Sequence, residues 1–342
     1  MTSIFEFPLS YLPSFDESMP ARVYVHVAAI HDHHAEELHH MVRGTDGTWS
    51  ARLELPDDVC SSYLIAPVDE GFIRRFDPPG PVDTRARWHA LVERAIPGPP
   101  ALSGCTGRVR GPHALPEPEW EDLTPTPGYW ESLNVSGRQT WRTLTGDSPR
   151  FLLLLFDGSS WIRTPLPRAL REGGFPPLEV IAIHTGTGNE RFDILGCTPA
   201  LPRWLHEELL PRTSWTPEET IVCGQSLGGL AALAVAIGEP HIANHVLSQS
   251  GSFWFPAWGG RDGGQLATTL QDPQVINRIQ TRRIRAHMSV GWGEADMIPH
   301  TRAVADCLMA ADVRTSLEMS NHGHEMAGWM GALTRGLGHL LR

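Results

Sequence analysis

Positive charge is scarce in this sequence. Its 342 residues carry 28 Lys and Arg against 39 Asp and Glu, a formal net charge of −11. Phosphate recognition needs a basic patch, so nucleic acid is not an expected partner. An anionic ligand would have to be held by local cations, not by the overall field. Cysteine is scarce too. Cys60, Cys105, Cys197, Cys223 and Cys307 are scattered, odd in number and without a C-x-x-C pair. That argues against a disulfide framework and against a cysteine zinc site. No run approaches the ~20 consecutive apolar residues of a membrane-spanning helix. The N-terminus Met-Thr-Ser-Ile-Phe-Glu-Phe lacks the basic-then-apolar order of a secretory signal. The expectation is a soluble, cytoplasmic protein with no membrane span, no resident metal and no cofactor; oligomeric state is not legible.

What is present is ordinary globular material, 41% hydrophobic and 20% charged. At roughly 100–200 residues per domain the length suggests two domains. The first third reads as β-rich. Ala21–Val27, Thr48–Leu55 and Ser62–Ala66 are β-branched or alternating runs, with the turn signal Gly44-Thr-Asp-Gly47 before the second. Such spacing predicts a small β-sandwich. From Asp77 to Pro127 the chain is rich in Pro and Gly, and Pro116–Gly128 is acidic. This stretch reads either as an extended interdomain linker or as an ordered strap across the second domain. The boundary is placed at about residue 125, giving domains 1–125 and 126–342. Beyond it, apolar runs at Phe151–Phe156, Leu178–Ile183, Thr220–Cys223 and Ala286–Val290 alternate with helical stretches such as Pro202–Leu210 and Leu227–Ile237. Buried strands alternating with helices predict a parallel sheet covered on both faces, the α/β class.

The strongest chemical signal is Gly224-Gln225-Ser226-Leu227-Gly228, a G-x-S-x-G motif between an apolar strand and a small-residue helix. That context is the nucleophile elbow of an α/β-hydrolase, a turn sharp enough to project a serine Oγ. The helix N-terminus adds partial positive charge where an oxyanion forms. Triad partners in this class follow in the order nucleophile, acid, histidine. Glu294 and Asp296 both follow the strand Ala286–Val290 and compete for the acid. His322 and His324 follow the strand-like Arg314–Met319; Gly323 would let that loop approach the serine closely, and His324 is the favoured base. An oxyanion hole would use the N–H of Leu227 and one from the loop holding Gly158 and Ser159.

These blocks resemble the enterochelin (enterobactin) esterase family. The resemblance rests on Leu155-Phe-Asp-Gly158 with Trp161, on Cys223–Ala231 followed by Leu247–Trp254, on Asn189–Ile194, on Glu207–Pro211, and on Gly323-His-Glu325 with Trp329. In the first third, Arg22–His26, Asp32-His33-His34 and Gly44–Asp46 with Trp49 resemble that family's N-terminal β-sandwich. The resemblance implies Ser226 as nucleophile, His324 as base and a glutamate as acid, which fits Glu294 better than Asp296. It implies a cytoplasmic enzyme that hydrolyses the trilactone of a ferric enterobactin-like siderophore, with iron entering only as part of the substrate. It also implies Arg191 as a residue of the substrate cleft. Two positions depart from the family pattern: Leu227, where an aromatic residue is common, and the extra acid at Asp296.

A ferric tris-catecholate is a compact aromatic trianion, so arginines and aromatic faces near the serine are wanted. Arg191, Arg163, Trp161, Trp254 and Trp258 lie near the motifs. The cluster His26, His31, His33, His34, His39 and His40 carries no metal-site pattern, and strand alternation splits it between two faces. Two other functions fit the same residues: an esterase for a different aryl, feruloyl or thioester, because fold does not fix substrate, and a non-catalytic siderophore-binding protein.

Overall fold

The structure is a computed structural model that describes residues 1–10, 20–31, 37–78, 80–255 and 269–341. Asp32, His33, His34 and Trp258 lie outside the described residues. The chain divides into two compact units. One comprises Met1–Pro116 with the loops Gly291–Glu294 and Ser320–Gly328; the other comprises Glu117–Val290, Ala295–Met319 and Trp329–Arg342.

Among the described residues the first unit is built on seven strands: β1 (Thr2–Leu9), β2 (Arg22–Val27), β3 (His39–His40), β4 (Val42–Arg43), β5 (Trp49–Pro56), β6 (Cys60–Val68) and β7 (Gly107–Arg110). They form two sheets, β1-β5-β4 and β3-β2-β6-β7. Alternation sets the layers. Val23, Val25 and Val27 of β2 meet Phe7, Ala51, Leu53 and Leu55 of the facing sheet in one core. The intervening Tyr24 faces the other way, with Leu64, Ala66 and Val68, and is covered by Phe72, Ala90 and Leu91. Those last three lie on helices, Glu70–Phe76 and Thr84–Arg94. Sequence reading finds only Pro- and Gly-rich chain after Asp77 and names no helix there. The helix Thr84–Arg94 forms there because Asp83 caps it, its carboxylate accepting from Ala86 N at 2.9 Å, and because Ala90 and Leu91 give it an apolar face.

Among its described residues the second unit carries eight strands: β8 (Glu131–Val135), β9 (Arg138–Leu144), β10 (Phe151–Leu155), β11 (Leu178–Ile183), β12 (Thr220–Gln225), β13 (His245–Gln249), β14 (Arg285–Gly291) and β15 (Arg314–Ser320). Their order is β15-β14-β13-β12-β10-β11-β9-β8. The pairs β11/β10, β10/β12, β12/β13 and β13/β14 are parallel, and β9 and β8 close one edge antiparallel. Leu152 to Leu155 are fully buried on both faces, as a central parallel strand requires. Burial of each such leucine is worth roughly 1.5–3 kcal/mol, which pins β10 at the sheet centre. This is the α/β-hydrolase-like fold that the alternating pattern implies.

Within this unit the acidic segment that starts at Glu117 is an ordered strap. Trp120 is fully buried and its indole N–H donates to Thr334 Oγ1 at 3.2 Å. Glu117 Oε1 accepts from Arg335 Nη1 at 2.5 Å. No helix among the described residues is long and apolar enough to cross a membrane.

Candidate active site

Ser226 sits where β12 ends and the helix Leu227–Gly238 begins. Its backbone is left-handed, φ 57° and ψ −124°. A non-glycine residue there is strained by about 1–3 kcal/mol and persists only if its surroundings fix it. They do: Ser226 N donates to Gln249 O at 2.9 Å, and Ser226 O accepts from Ser252 N at 3.0 Å. The flanking glycines have a steric reason. A Cβ on Gly224 would lie 2.2 Å from Gly228 O, and one on Gly228 would lie 3.2 Å from Asp157 Oδ2. Ser226 Oγ has Ser252 Oγ at 3.3 Å as a hydroxyl neighbour.

The second candidate donor segment follows β10. Asp157 is left-handed (φ 54°, ψ 39°) and starts the short helix Gly158–Trp161. Gly158 can be only glycine, because a Cβ would meet the β11 backbone at Ala182 and Ile183, 2.6 Å away. Leu227 is the first residue of its helix, and the first N–H groups of a helix have no intrahelical acceptor. Gly158 and Ser159 open the other helix in the same way.

Trp161 is fully buried. It offers no face to a ligand, which corrects its expected place among the substrate-binding residues. Its indole N–H donates to Gln225 Oε1 at 2.9 Å. From there a buried amide chain continues. Gln225 Nε2 donates to Gln249 Oε1 at 2.8 Å, and Gln249 Nε2 donates to Trp329 O at 2.7 Å. Trp329 Nε1 donates to Ser250 Oγ at 2.8 Å. The residues before and behind the serine are thus held by side-chain amides that a motif search passes over. Two polar glutamines ending adjacent buried strands were the available signal.

Arg191 lies on the helix Gly188–Leu195. Its Nε and Nη2 grip Asp157 Oδ1 and Oδ2 at 2.8 and 2.7 Å. Arg163 is exposed and Trp254 is half exposed, its ring available for contact.

Glu294 and His324, the candidate acid and base, belong to the two loops that cluster with the first unit. Those loops bond each other: Trp292 N donates to Ser320 O at 2.9 Å and Gly293 N to His322 O at 3.1 Å. Glu294 is 5% exposed. Its Oε1 accepts from Gly291 N at 2.8 Å, and its Oε2 lies 2.5 Å from His324 Nδ1. With the carboxylate ionised, Nδ1 is the donor, so the lone pair stands on Nε2, the tautomer a general base needs. Asp296, by contrast, is exposed at the start of the helix Met297–Ala310. His322 is buried, its Nδ1 2.7 Å from Gly323 O, and is packed against Gly291 and Gly328. His300 lies along the helix Met297–Ala310. Gly323 has a different reason from the one sequence suggests. A Cβ there would lie 2.0 Å from Ala28 O, and one on Gly293 would lie 2.5 Å from Ala29 O. The chain beyond β2 therefore seats both loops. Glu325, fully buried, is held by Ser62, whose hydroxyl donates to Oε2 at 2.9 Å; burial pushes its carboxyl pKa up.

The histidine tract packs within the first unit. His31 Nδ1 accepts from Val27 N at 3.0 Å, so Nε2 carries the proton and faces His39 Nδ1 at 2.7 Å. Among the described residues no group of three or more His, Cys, Asp or Glu is arranged to hold a metal.

Comparison with known proteins gives a consistent result. The Esterase family model, described as "Putative esterase", matches residues 152–340, more than half of the chain. The iron(III) enterobactin esterase of Escherichia coli O6:H1 is 27% identical, over 92% of this chain and 85% of its own length. The iron(III) salmochelin esterase of the same strain is 27% identical, over 85% of this chain and 77% of its own length. Among solved structures, the enterochelin esterase of Shigella flexneri superposes with a TM-score of 0.79 at 25% identity, covering 99% of this chain and 92% of that one. This chain belongs to the Esterase family and is similar, along nearly its whole length, to the enterochelin esterases.

Proposed function

We propose that the protein hydrolyses the ester bonds of a ferric catecholate siderophore of the enterobactin type, in the cytoplasm, with Ser226 as nucleophile, His324 as general base and Glu294 as the orienting acid. The observation that carries this reading is the 2.5 Å contact between Glu294 Oε2 and His324 Nδ1. A buried carboxylate on Nδ1 selects the basic tautomer and stabilises the imidazolium that forms.

The chemistry runs as follows. Nε2 of His324 takes the proton of Ser226 Oγ while Oγ attacks a lactone carbonyl. The C–O π pair moves onto oxygen, and the N–H groups of Leu227 and of Gly158 or Ser159 receive that charge. Collapse expels the alkoxide, which takes the proton from His324. Water repeats the cycle to release the acid. One oxyanion donor is typically worth about 2.7–4 kcal/mol. The relatives' names and the half-exposed Trp254 support the siderophore as substrate. Cys60, Cys105, Cys197, Cys223 and Cys307 are unbridged, as suits a reducing compartment.

The test uses purified protein and a Ser226→Ala variant with ferric enterobactin, iron-free enterobactin and a neutral aryl ester, following products by chromatography and mass. Linearised and trimmed trilactone from wild type alone supports the reading. Cleavage of the aryl ester alone moves the substrate to another ester. Cleavage of neither returns the protein to a siderophore-binding role.

A further inference from the structure

We infer that Arg191 is a positioning residue for the oxyanion pocket and not an anion-binding residue: through Asp157 and Gln225 it sets the spacing of the two backbone segments that carry the N–H donors. This rests on the serine-esterase reading above.

Asp157 immediately precedes Gly158, and Gln225 immediately precedes Ser226. One guanidinium ties them together. Arg191 Nε and Nη2 hold the two carboxylate oxygens of Asp157, and Nη2 also donates to Gln225 O at 3.3 Å. Thr185 Oγ1 adds a third donor, 2.6 Å from Asp157 Oδ1. A bidentate fork fixes angle as well as distance, which a lysine ammonium cannot do. The sequence contains no lysine, so every such contact in this chain is made by arginine or histidine. The left-handed backbone of Asp157 needs outside support, and these bonds supply it. On its other side, the Asp157 carboxylate packs over Gly228, in the first turn behind Ser226; a Cβ on that glycine would be 3.2 Å from Oδ2. The two donor segments are therefore clamped from the side of Arg191 and spaced from the side of Gly228. With its Nε and Nη2 already on protein oxygens, Arg191 is ion-paired with Asp157 before any substrate arrives.

The test measures kcat and KM of Arg191→Lys, Arg191→Gln, Asp157→Asn and the double variant Arg191→Gln/Asp157→Asn. The substrates are a neutral aryl ester and ferric enterobactin, and phosphonylation by a neutral aryl phosphonate is timed alongside. Loss of one whole oxyanion donor costs about 10²–10³-fold in kcat. Misplacement of the pair is expected to cost about 10–100-fold, by the same factor on both esters and on phosphonylation, with KM within about twofold. The double variant should be no worse than the worse single one, because the pair acts as a unit. A rise in KM for the ferric siderophore with the aryl ester untouched would overturn the inference, since the guanidinium would then be holding substrate charge. An unchanged kcat on both substrates would overturn it equally. Should the Arg191 and Asp157 variants fail to fold in thermal melts, Thr185→Val decides: a fall in kcat at constant KM supports the clamp, and no change removes it. Wild type that cleaves the aryl ester but not the siderophore defeats the proposed substrate and leaves the clamp testable on the aryl ester. Wild type that cleaves neither takes the clamp down with the serine-esterase reading.

Discussion

Replacing Glu294 by glutamine tests the acid–base pair with almost no change of shape. The carboxylate serves two donors at once: Gly291 N–H at Oε1, 2.8 Å, and the imidazole Nδ1–H at Oε2, 2.5 Å. A glutamine amide has one oxygen and one NH2. If its oxygen faces Nδ1, the NH2 confronts the Gly291 N–H, donor against donor, in a buried site that penalises an unmet group by about 1–3 kcal/mol. If it turns the other way, NH2 donates to Nδ1. The imidazole must then carry its proton on Nε2, and the base becomes a donor. The second arrangement leaves fewer clashes, so the variant should fold and lose catalysis. In serine hydrolases the wrong tautomer lowers kcat by about 10⁴, near 5 kcal/mol at 1.36 kcal/mol per decade.

The assay is kcat/KM on an aryl ester with melting temperature in parallel, and Asp296→Asn is its control. Glu294→Gln should fall about 10³–10⁴-fold with its melting temperature within a few degrees of wild type. Asp296 is exposed, so its variant should stay within about twofold. Retention of a tenth or more of wild-type activity by Glu294→Gln, or an equal loss in Asp296→Asn, would refute the assignment of the acid.

Trp161→Phe keeps the ring but removes the N–H that meets Gln225 Oε1 at 2.9 Å; stability should drop by about 1–3 kcal/mol in urea unfolding, the cost of an orphaned buried oxygen. Glu325→Gln should leave the protein as stable as wild type, or more so, toward alkaline pH. A carboxyl whose folded pKa is raised by burial contributes stability at low pH that is lost as pH climbs through that raised value, and the amide has no such loss; a variant that is less stable at pH 8 than at pH 5, relative to wild type, would contradict this. Acid should unfold the protein early: burial holds His31 and His287 at about 4, from an ordinary 6.5, so the unfolded chain takes up protons that the folded chain refuses. Stability is full above about pH 6.5 and falls toward pH 4, by up to about 3 kcal/mol for each imidazole; urea midpoints between pH 7 and pH 4 measure the fall, and a flat profile would refute it.

How far the sequence carried depended on periodicity. The strands β10, β11, β12 and β14 were readable because parallel strands are apolar on both faces, and β2, β5 and β6 because one face alternates with the other. The hairpin β8–β9 was not readable: Glu131–Val135, the edge strand, and Arg138–Leu144 beside it are only partly buried and carry polar residues on both faces. The helix Thr84–Arg94 was hidden by the prolines around it, although Asp83 and the run Ala90-Leu91-Val92 marked its cap and face. At the site, the strand–turn–helix setting of Ser226 was legible because the G-x-S-x-G motif is local. Position alone left Glu294 and Asp296 open and only the family resemblance favoured Glu294; the hydrogen bond that sets Glu294 apart reaches across 30 residues, beyond any local motif. Tryptophan was misread for the usual reason: a large ring near a motif suggests contact, and only burial tells a core ring from a cleft ring. Trp161 proved to be the former and Trp254 half exposed.

The strain in the sheet points the same way as the chemistry. Among the described residues eight non-glycine positions have positive φ, and three of them terminate adjacent strands: Asp157 (φ 54°) after β10, Ser226 (φ 57°) after β12 and Ser250 (φ 48°) after β13. Each costs about 1–3 kcal/mol, so each must be over-determined by its surroundings. Each is. Asp157 has Arg191 and Thr185; Ser226 has Gln249 O and Ser252 N; Ser250 donates its N–H to Ser289 O at 2.7 Å and accepts from the Trp329 indole. A sheet could end these strands in glycine and avoid the cost. Serine and aspartate at such positions instead keep polar side chains at the strand ends: Asp157 on Arg191 and Thr185, Ser226 beside Ser252 Oγ, and Ser250 on the Trp329 indole. These strained turns and the bonds that hold them thus lie at the ends of β10, β12 and β13, the strands that carry the proposed nucleophile and both proposed oxyanion segments. A scan of Asp157, Ser226 and Ser250 to glycine separates stability from chemistry. Where the strain is only a burden, as a left-handed turn would make it, glycine should stabilise by about 0.4–1 kcal/mol or cost little. For Asp157→Gly the lost ion pair with Arg191 should outweigh that relief, and kcat should fall with it. A more stable Asp157→Gly variant with full kcat would show that the turn is held for nothing.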